Sequence, residues 1–466
     1  MEAVDIVIKS GTVILSEGPA RAGIAIQGER IVAVAEESSL PEAREVIDVP
    51  GKIVLPGIID LHVHFREPGM THKEDFTTGS RAAVAGGVTT VADMPNHNPP
   101  PTTAKTFGSK LDLVGAKSYV DFALFAGGME TKEYPALAEA GACGVKLFQF
   151  RSSVKGSPYL DQLCVMDEGQ LYDVFEGAAK AGLRVFLHAD NPHIINPLRA
   201  RLQEQGRCNQ LDYHELRNSI ATREAVDKAI LFAEKTGVHL HFVHISLCTL
   251  DCMDSVRAAR ARGLPITCES VPPILTYEDH QRLGPYALPF ALPPSEIGQY
   301  WAAMVRGDID AIGTDHAPHT IEEKEPGWKN VWSCPPGFPM VETSLSIVLT
   351  KCAEGLLTLT RLAELMSAGP ARLLGLYPRK GAIRVGSDAD LTIVDYPVEA
   401  VIDQKRLHSK CGWSPFDGMT VRGAPVMTIL RGRVAMRDGE IAGMPGDGRF
   451  VSPGYGGEDP SSASGK

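Results

Sequence analysis

The sequence predicts an α/β protein, a (β/α)8 TIM barrel joined to a small β-sandwich built from both chain termini. Three observations predict it. Eight short apolar runs alternate with helix-type stretches through the middle of the chain, as right-handed βα crossovers require. Short β-type runs separated by turn residues fill the first part of the chain, and the same texture returns near its end. Polar residues with metal or acid-base chemistry fall at the last positions of the central runs, where barrel enzymes carry their active sites.

The terminal regions come first. Asp5-Ile6-Val7-Ile8, Gly23-Ile24-Ala25-Ile26 and Arg30-Ile31-Val32-Ala33-Val34 read as strands of a small antiparallel sheet. Ala389-Asp390-Leu391-Thr392-Ile393-Val394, Val426-Met427-Thr428-Ile429-Leu430 and Arg433-Val434-Ala435-Met436 repeat that pattern. Neither set is large enough for a core of its own. Residues 1–54 and 376–445 are therefore expected to form one composite β-domain, with a barrel of residues 55–375 inserted between its halves. The end, 446–466, is rich in Gly, Ser and Asp and is expected to be a flexible tail.

Within the barrel, the expected strands are 58–64, 89–93, 121–125, 144–148, 184–188, 239–245, 265–269 and 311–315. Helical stretches such as 170–181 and 221–236 lie between several of them. A Gly- and Pro-rich stretch, Pro335-Pro336-Gly337-Phe338-Pro339, reads as a wall over the substrate or a rigid connector.

Composition narrows the function. The 466 residues are 44% hydrophobic and 22% charged, as in a soluble globular protein. The net charge of -11 without basic clusters argues against a nucleic-acid or anionic-membrane partner. No signal-peptide pattern opens the chain and no apolar run reaches spanning length, so the cytoplasm is the expected compartment. Nine scattered cysteines fit reduced core thiols better than a disulfide framework, and Cys248 and Cys252 read as packing on a helix face.

The chemistry begins at Asp60-Leu61-His62-Val63-His64, where side chains two apart on a strand project to one face. Further strand ends offer Lys146, His188, His244 and Asp315. Six such groups at one mouth point to a centre for two divalent metal ions, zinc first, with manganese, cobalt or iron as alternatives. Lys146 would be desolvated and repelled there unless its amine takes up carbon dioxide as a carbamate bridging both ions. The alternatives are a lysine turned outward, with Asp161 or Asp167 as the bridge. On the sixth strand His239, His241 and His244 compete. The end position favours His244, leaving His239 and His241 as surface or supporting groups. A metal-bridging hydroxide would then attack a carbonyl, with Asp315 as general base and acid toward a leaving nitrogen.

The modules His62-Val63-His64-Phe65-Arg66-Glu67-Pro68-Gly69, Ala85-Gly86-Gly87-Val88-Thr89-Thr90, Met94-Pro95-Asn96 and Thr314-Asp315-His316-Ala317-Pro318-His319 resemble those of dihydroorotases, in the cyclic-amidase branch of the amidohydrolase superfamily. Gly381-Ala382-Ile383-Arg384-Val385-Gly386-Ser387-Asp388-Ala389-Asp390 resembles the superfamily's return into its sandwich, and Ser414-Pro415-Phe416-Asp417-Gly418-Met419 is similar to a dihydroorotase and allantoinase motif. The resemblance implies metal ligands His62, His64, carboxylated Lys146, His188, His244 and Asp315. It also implies Arg66, Asn96 and His319 on a substrate carboxylate, and a homo-oligomer, either dimer or tetramer.

Several residues depart from dihydroorotases. Leu292 stands where that family usually places an Asn, and Cys268-Glu269-Ser270 where a Cys-Pro-His is expected. Gly144-Val145-Lys146-Leu147-Phe148 resembles the carboxylated-lysine segment of allantoinases and hydantoinases, although Arg151 replaces the Tyr usual in hydantoinases. The expected activity is ring opening of a cyclic amide, dihydroorotate-like first. An allantoinase or a hydantoinase or cyclic-imide hydrolase is the alternative. A catalytically silent dihydroorotase-like scaffold is the rival of another class.

Overall fold

The computed structural model describes residues 3–150, 160–216, 219–245 and 251–454. Arg151, Cys248 and the chain beyond Gly454 lie outside the described residues.

The strand Val4–Lys9 pairs antiparallel with Gly23–Gln27 and parallel with Ala43–Asp48, and Arg30–Ala35 completes this four-stranded sheet. A seven-stranded sheet runs in the order Glu440–Ile441, Arg433–Arg437, Thr420–Leu430, Leu391–Val401, Ile53–Pro56, Thr12–Leu15, Gly18–Arg21. Ile53–Pro56 pairs antiparallel with Leu391–Val401, so both ends of the chain contribute to one sheet. Period-two alternation supplies the shared core, with Ile6, Ile8, Ile24 and Ile26 packing in one cluster with Val54, Leu391, Ile393 and Ile429.

The central strands are parallel and buried on both faces, as near-continuous apolar runs dictate. Ile58–Val63, Val88–Asp93 and Asp121–Leu124 form one sheet. Ala126–Gly127, Val145–Phe148, Val185–His188, Leu240–Phe242, Ile266–Ser270 and Ala311–Ile312 form another, in chain order. Helices Glu168–Lys180 and Ser219–Thr236 lie where helical stretches were expected. Asp167 caps the first of these, accepting from the Gln170 N–H at 3.0 Å. Among the described residues no helix is long and apolar enough to cross a membrane.

The interior of the strand array explains how the site is carried. Ile59 and Leu61 join Ala92, Ala123, Phe125, Phe186 and Ala311 in an apolar plug. A register irregularity between Asp60 and Val63 then interrupts the pairing, and His62 and His64 turn toward Asp315 instead of toward the plug. Asp60 ties the first of these strands to the last. It accepts from the backbone N–H groups of His62 and Thr314 at 3.1 Å each and from Thr314 Oγ1 at 2.5 Å. Burial pushes its carboxyl up to about 6.

The stretch 446–454 differs from the flexible end expected for it. Val451 N–H donates to Phe122 O at 2.8 Å, Gly454 N–H to Gly375 O at 2.9 Å, and Arg449 N–H to Asp121 Oδ1 at 2.8 Å. Phe450 lies 6.1 Å from the Phe107 ring and 6.0 Å from Phe122. The aromatic contact and the backbone pairing to a parallel strand hold a segment whose composition is otherwise that of a loose end.

Candidate metal centre

His62, His64, Lys146, His188 and His244 are all buried; His62 and His188 lie at or next to the ends of their strands, His64 and His244 just past theirs and Lys146 within Val145–Phe148, and Asp315 lies just past the last strand. The chain brings them together. Asp315 Oδ1 lies 2.8 Å from His64 Nε2 and 3.3 Å from His62 Nε2, and His188 Nδ1 lies 3.0 Å from His244 Nε2. Donor atoms of His62, His244 and Asp315 all fall within 4.8 Å of one another. The backbone is strained at the same place. Among the described residues, the few non-glycine residues with positive φ include Arg66 at 60°, His244 at 37° and Asp315 at 46°.

Three of the four imidazoles are oriented by an acceptor behind them. Glu269 Oε1 accepts from His62 Nδ1, Asn96 Oδ1 lies 2.5 Å from His64 Nδ1, and Asp190 Oδ2 lies 2.9 Å from His188 Nε2. Such partners fix the tautomer, so His62 Nε2 and His64 Nε2 present lone pairs toward Asp315, and His188 Nδ1 faces His244 Nε2. Burial holds His64 down to about 3, so it is neutral, the form that ligates a metal. At Asp315 burial acts upward, but His62, His64 and Lys146 outweigh it and hold the carboxyl at about 2. It is an anion at neutral pH.

Lys146 is fully buried, and its Nζ has no hydrogen-bond partner among the described residues. It lies 4.6 Å from the centre of the Phe148 ring. Burial lowers its pKa to about 7, against the smaller opposing pull of Glu269 and Asp315. Burial thus favours the neutral amine near neutral pH, the form that reacts with carbon dioxide. The rivals for the bridging position are elsewhere, since Asp161 and Asp167 are both exposed. A cluster of imidazole lone pairs, a carboxylate and a desolvated amine fits a pair of divalent cations.

The residues expected on a substrate carboxylate divide. Arg66 Nη2 lies 3.4 Å from His319 Nε2, so these two meet. Asn96 is instead engaged with His64. His319 is fully buried, with Lys73 Nζ 3.2 Å and Glu323 Oε2 3.3 Å from its Nδ1, and burial keeps it well below the usual imidazole range. Leu292 packs into the main apolar core, with Tyr277 N–H donating to its carbonyl at 2.9 Å.

The Gly- and Pro-rich stretch lies against the site. Lys324 Nζ donates to Pro335 O at 3.0 Å and Gly337 O at 3.2 Å, and Ala317 N–H donates to Phe338 O at 3.0 Å. Gly337 has φ of 127°, and a Cβ there would meet Ala317 O at 2.6 Å, so only glycine fits. Trp413, from the segment between strands Leu391–Val401 and Thr420–Leu430, donates through Nε1 to His319 O at 2.8 Å. Aromatic rings surround His188 and His244, with Phe148 and Phe150 each 6.0 Å from His188 and Phe290 6.0 Å from His244.

Sequence reasoning missed the roles of Glu269 and Asp190. The available signal was their position, Glu269 near the end of its strand and Asp190 two residues beyond His188. His241, placed among surface or supporting groups, is fully buried, with Nε2 3.3 Å from Glu269 Oε2.

The chain is similar to known proteins over nearly its whole length. The model of the amidohydrolase family matches residues 53–435. An allantoinase of Rubrobacter xylanophilus is 37% identical over 459 residues, 97% of this chain and 98% of that protein. A dihydroorotase of Methanothermobacter thermautotrophicus is 35% identical over 416 residues, 88% of this chain and 90% of that protein. Among solved structures, L-hydantoinase (dihydropyrimidinase) from Arthrobacter aurescens superposes with a TM-score of 0.92 at 35% identity, covering 96% of this chain and 100% of the other.

Proposed function

Because the chain belongs to the amidohydrolase family, we propose that it hydrolyses a C–N bond of a cyclic ureide, opening a hydantoin-type ring, allantoin included. The observation that carries the reaction class is Lys146, a buried amine with no hydrogen-bond partner among the described residues, in the company of His62, His64, His188, His244 and Asp315. These six residues would hold two divalent ions, zinc first, with Lys146 carboxylated. Ions bound there supply Lewis acidity toward a carbonyl oxygen and an activated water.

The chain's own residues do the rest. Asp315 Oδ accepts the proton of the attacking water and returns it to the leaving nitrogen. Glu269, Asn96 and Asp190 keep three imidazoles in the ligating tautomer. Phe148, Phe150 and Phe290 exclude water beside His188 and His244 and suit a planar ring. The strands are read as one closed (β/α)8 barrel of residues 55–375. Pairing of Asp121–Leu124 with Val88–Asp93, of Ala126–Gly127 with Val145–Phe148, and the Val63 to His316 bridge support that closure. Residues 1–54 and 376–445 are read as the accompanying β-sandwich.

The substrate order expected from the sequence placed dihydroorotate first. The structural support now favours a ureide, since Asn96 is engaged with His64 and Leu292 offers no polar group. The allantoinase and hydantoinase relatives also match more of the chain than the dihydroorotase does. Dihydroorotate remains the second reading, favoured by the contact of Arg66 with His319. Zinc-loaded protein should be assayed in parallel on hydantoin, allantoin and L-dihydroorotate. A kcat/KM highest on either five-membered ureide supports the reading, and one highest on dihydroorotate overturns the substrate assignment.

A further inference from the structure

Glu269 lies near the end of the strand Ile266–Ser270, fully buried, on the strand between those that lead to His244 and to Asp315. Its Oε1 accepts from His62 Nδ1 and from the backbone N–H of His244 at 3.3 Å. Its Oε2 accepts from His241 Nε2 at 3.3 Å, and His241 Nδ1 in turn lies 2.9 Å from Thr267 Oγ1. One carboxylate therefore spans three strands and touches two of the candidate ligands.

We propose that Glu269 is a positioning residue that sets the metal affinity of the centre by fixing His62 and His244 together, with His241 and Thr267 holding the carboxylate from behind. The proposal rests on the metal-centre reading above. Only with its Nδ1 hydrogen given to Glu269 does His62 turn a lone pair on Nε2 toward Asp315, and that Nε2 has no hydrogen-bond partner among the described residues. A carboxylate on the far nitrogen also makes an imidazole a stronger donor. The same oxygen takes the N–H of His244, whose backbone is held at φ 37°, so the contact stabilises an otherwise unfavourable conformation. His241 occupies the second oxygen and keeps Oε1 from rotating away. With Nε2–H donated to Glu269, His241 Nδ1 accepts from the Thr267 hydroxyl, which makes Thr267 the outer end of the chain.

The test is zinc affinity, measured by competition with a chromogenic chelator on metal-stripped wild type, Glu269→Gln and Thr267→Val, with zinc content counted after dialysis. Glutamine keeps an oxygen for His62 and removes the charge. Glu269→Gln is expected to bind zinc roughly 10- to 100-fold more weakly, with the metal-stripped variant still unfolding in one cooperative transition. Thr267→Val, at a half-buried position, is expected to weaken binding in the same direction and by less. Should Glu269→Gln fail to fold, Thr267→Val decides, and wild-type affinity in it overturns the proposal. Equal affinity in wild type and a folded Glu269→Gln also overturns it. Wild type that takes up no zinc overturns the metal-centre reading itself, so the two failures are distinguishable.

Discussion

Replacing Lys146 by methionine should stabilise the metal-stripped protein. Burial lowers the Lys146 pKa from an ordinary 10.5 to about 7. Between those two values the unfolded chain binds more protons than the folded one, so stability rises with pH across that window, and the penalty is full below pH 7. At about 1.4 kcal/mol per pH unit, holding the lysine in place costs about 4 kcal/mol at pH 7 and about 2 kcal/mol at pH 9. Methionine fills a similar volume without a charge or a donor to satisfy. Urea unfolding in carbon-dioxide-free buffer should therefore show Lys146→Met more stable than wild type by about 4 kcal/mol at pH 7, with the gap halved at pH 9. A variant no more stable than wild type at pH 7, or a gap that does not shrink with pH, would refute the burial argument. With it would go the reason for a carbamate.

The other expectations are simpler. Asp315→Asn should lower kcat by roughly 10²- to 10⁴-fold with the circular dichroism spectrum unchanged, and retention of more than a tenth of the wild-type rate would remove Asp315 from proton transfer. Thr314→Val leaves Asp60 Oδ2 buried without its 2.5 Å donor, and should cost about 1–3 kcal/mol in denaturant unfolding. Phe450→Ala removes a half-buried ring from Phe107 and Phe122 and should cost about 2 kcal/mol, somewhat below the range for a fully buried ring, whereas a loose tail would give no change.

The legible part of the site lies at strand ends. That His62, His64, Lys146, His188, His244 and Asp315 lie near the ends of central strands was expected because a short apolar run announces a strand and its end announces the mouth of the array. Glu269 was not readable as a partner. Its role depends on facing His62, which is 207 residues away in the chain, and strand alternation alone does not say which neighbour a side chain meets. The same holds for Asn96, whose motif resembles a substrate-binding one while its oxygen meets His64. The composite sheet was legible from repeated β-type texture at both ends. The anchoring of 446–454 was not, because it depends on a partner strand more than 300 residues earlier, in the contact of Arg449 with Asp121. Lys380, buried between Asp121 at 2.6 Å and Asp390 at 2.5 Å, also left no local sign of its role. Turn and strand signals are local, while ion pairs across the fold are not.

The most direct test of metal-dependent ring opening is turnover measured against metal content in one preparation. Protein stripped with a chelator and reloaded stepwise with zinc is assayed on hydantoin and allantoin while bound zinc is counted. No turnover is expected without metal, and the rate should rise with loading to a plateau at two ions per chain. Turnover of either ring at full rate in metal-free protein, or none of any cyclic ureide or of dihydroorotate at two ions per chain, would contradict that expectation.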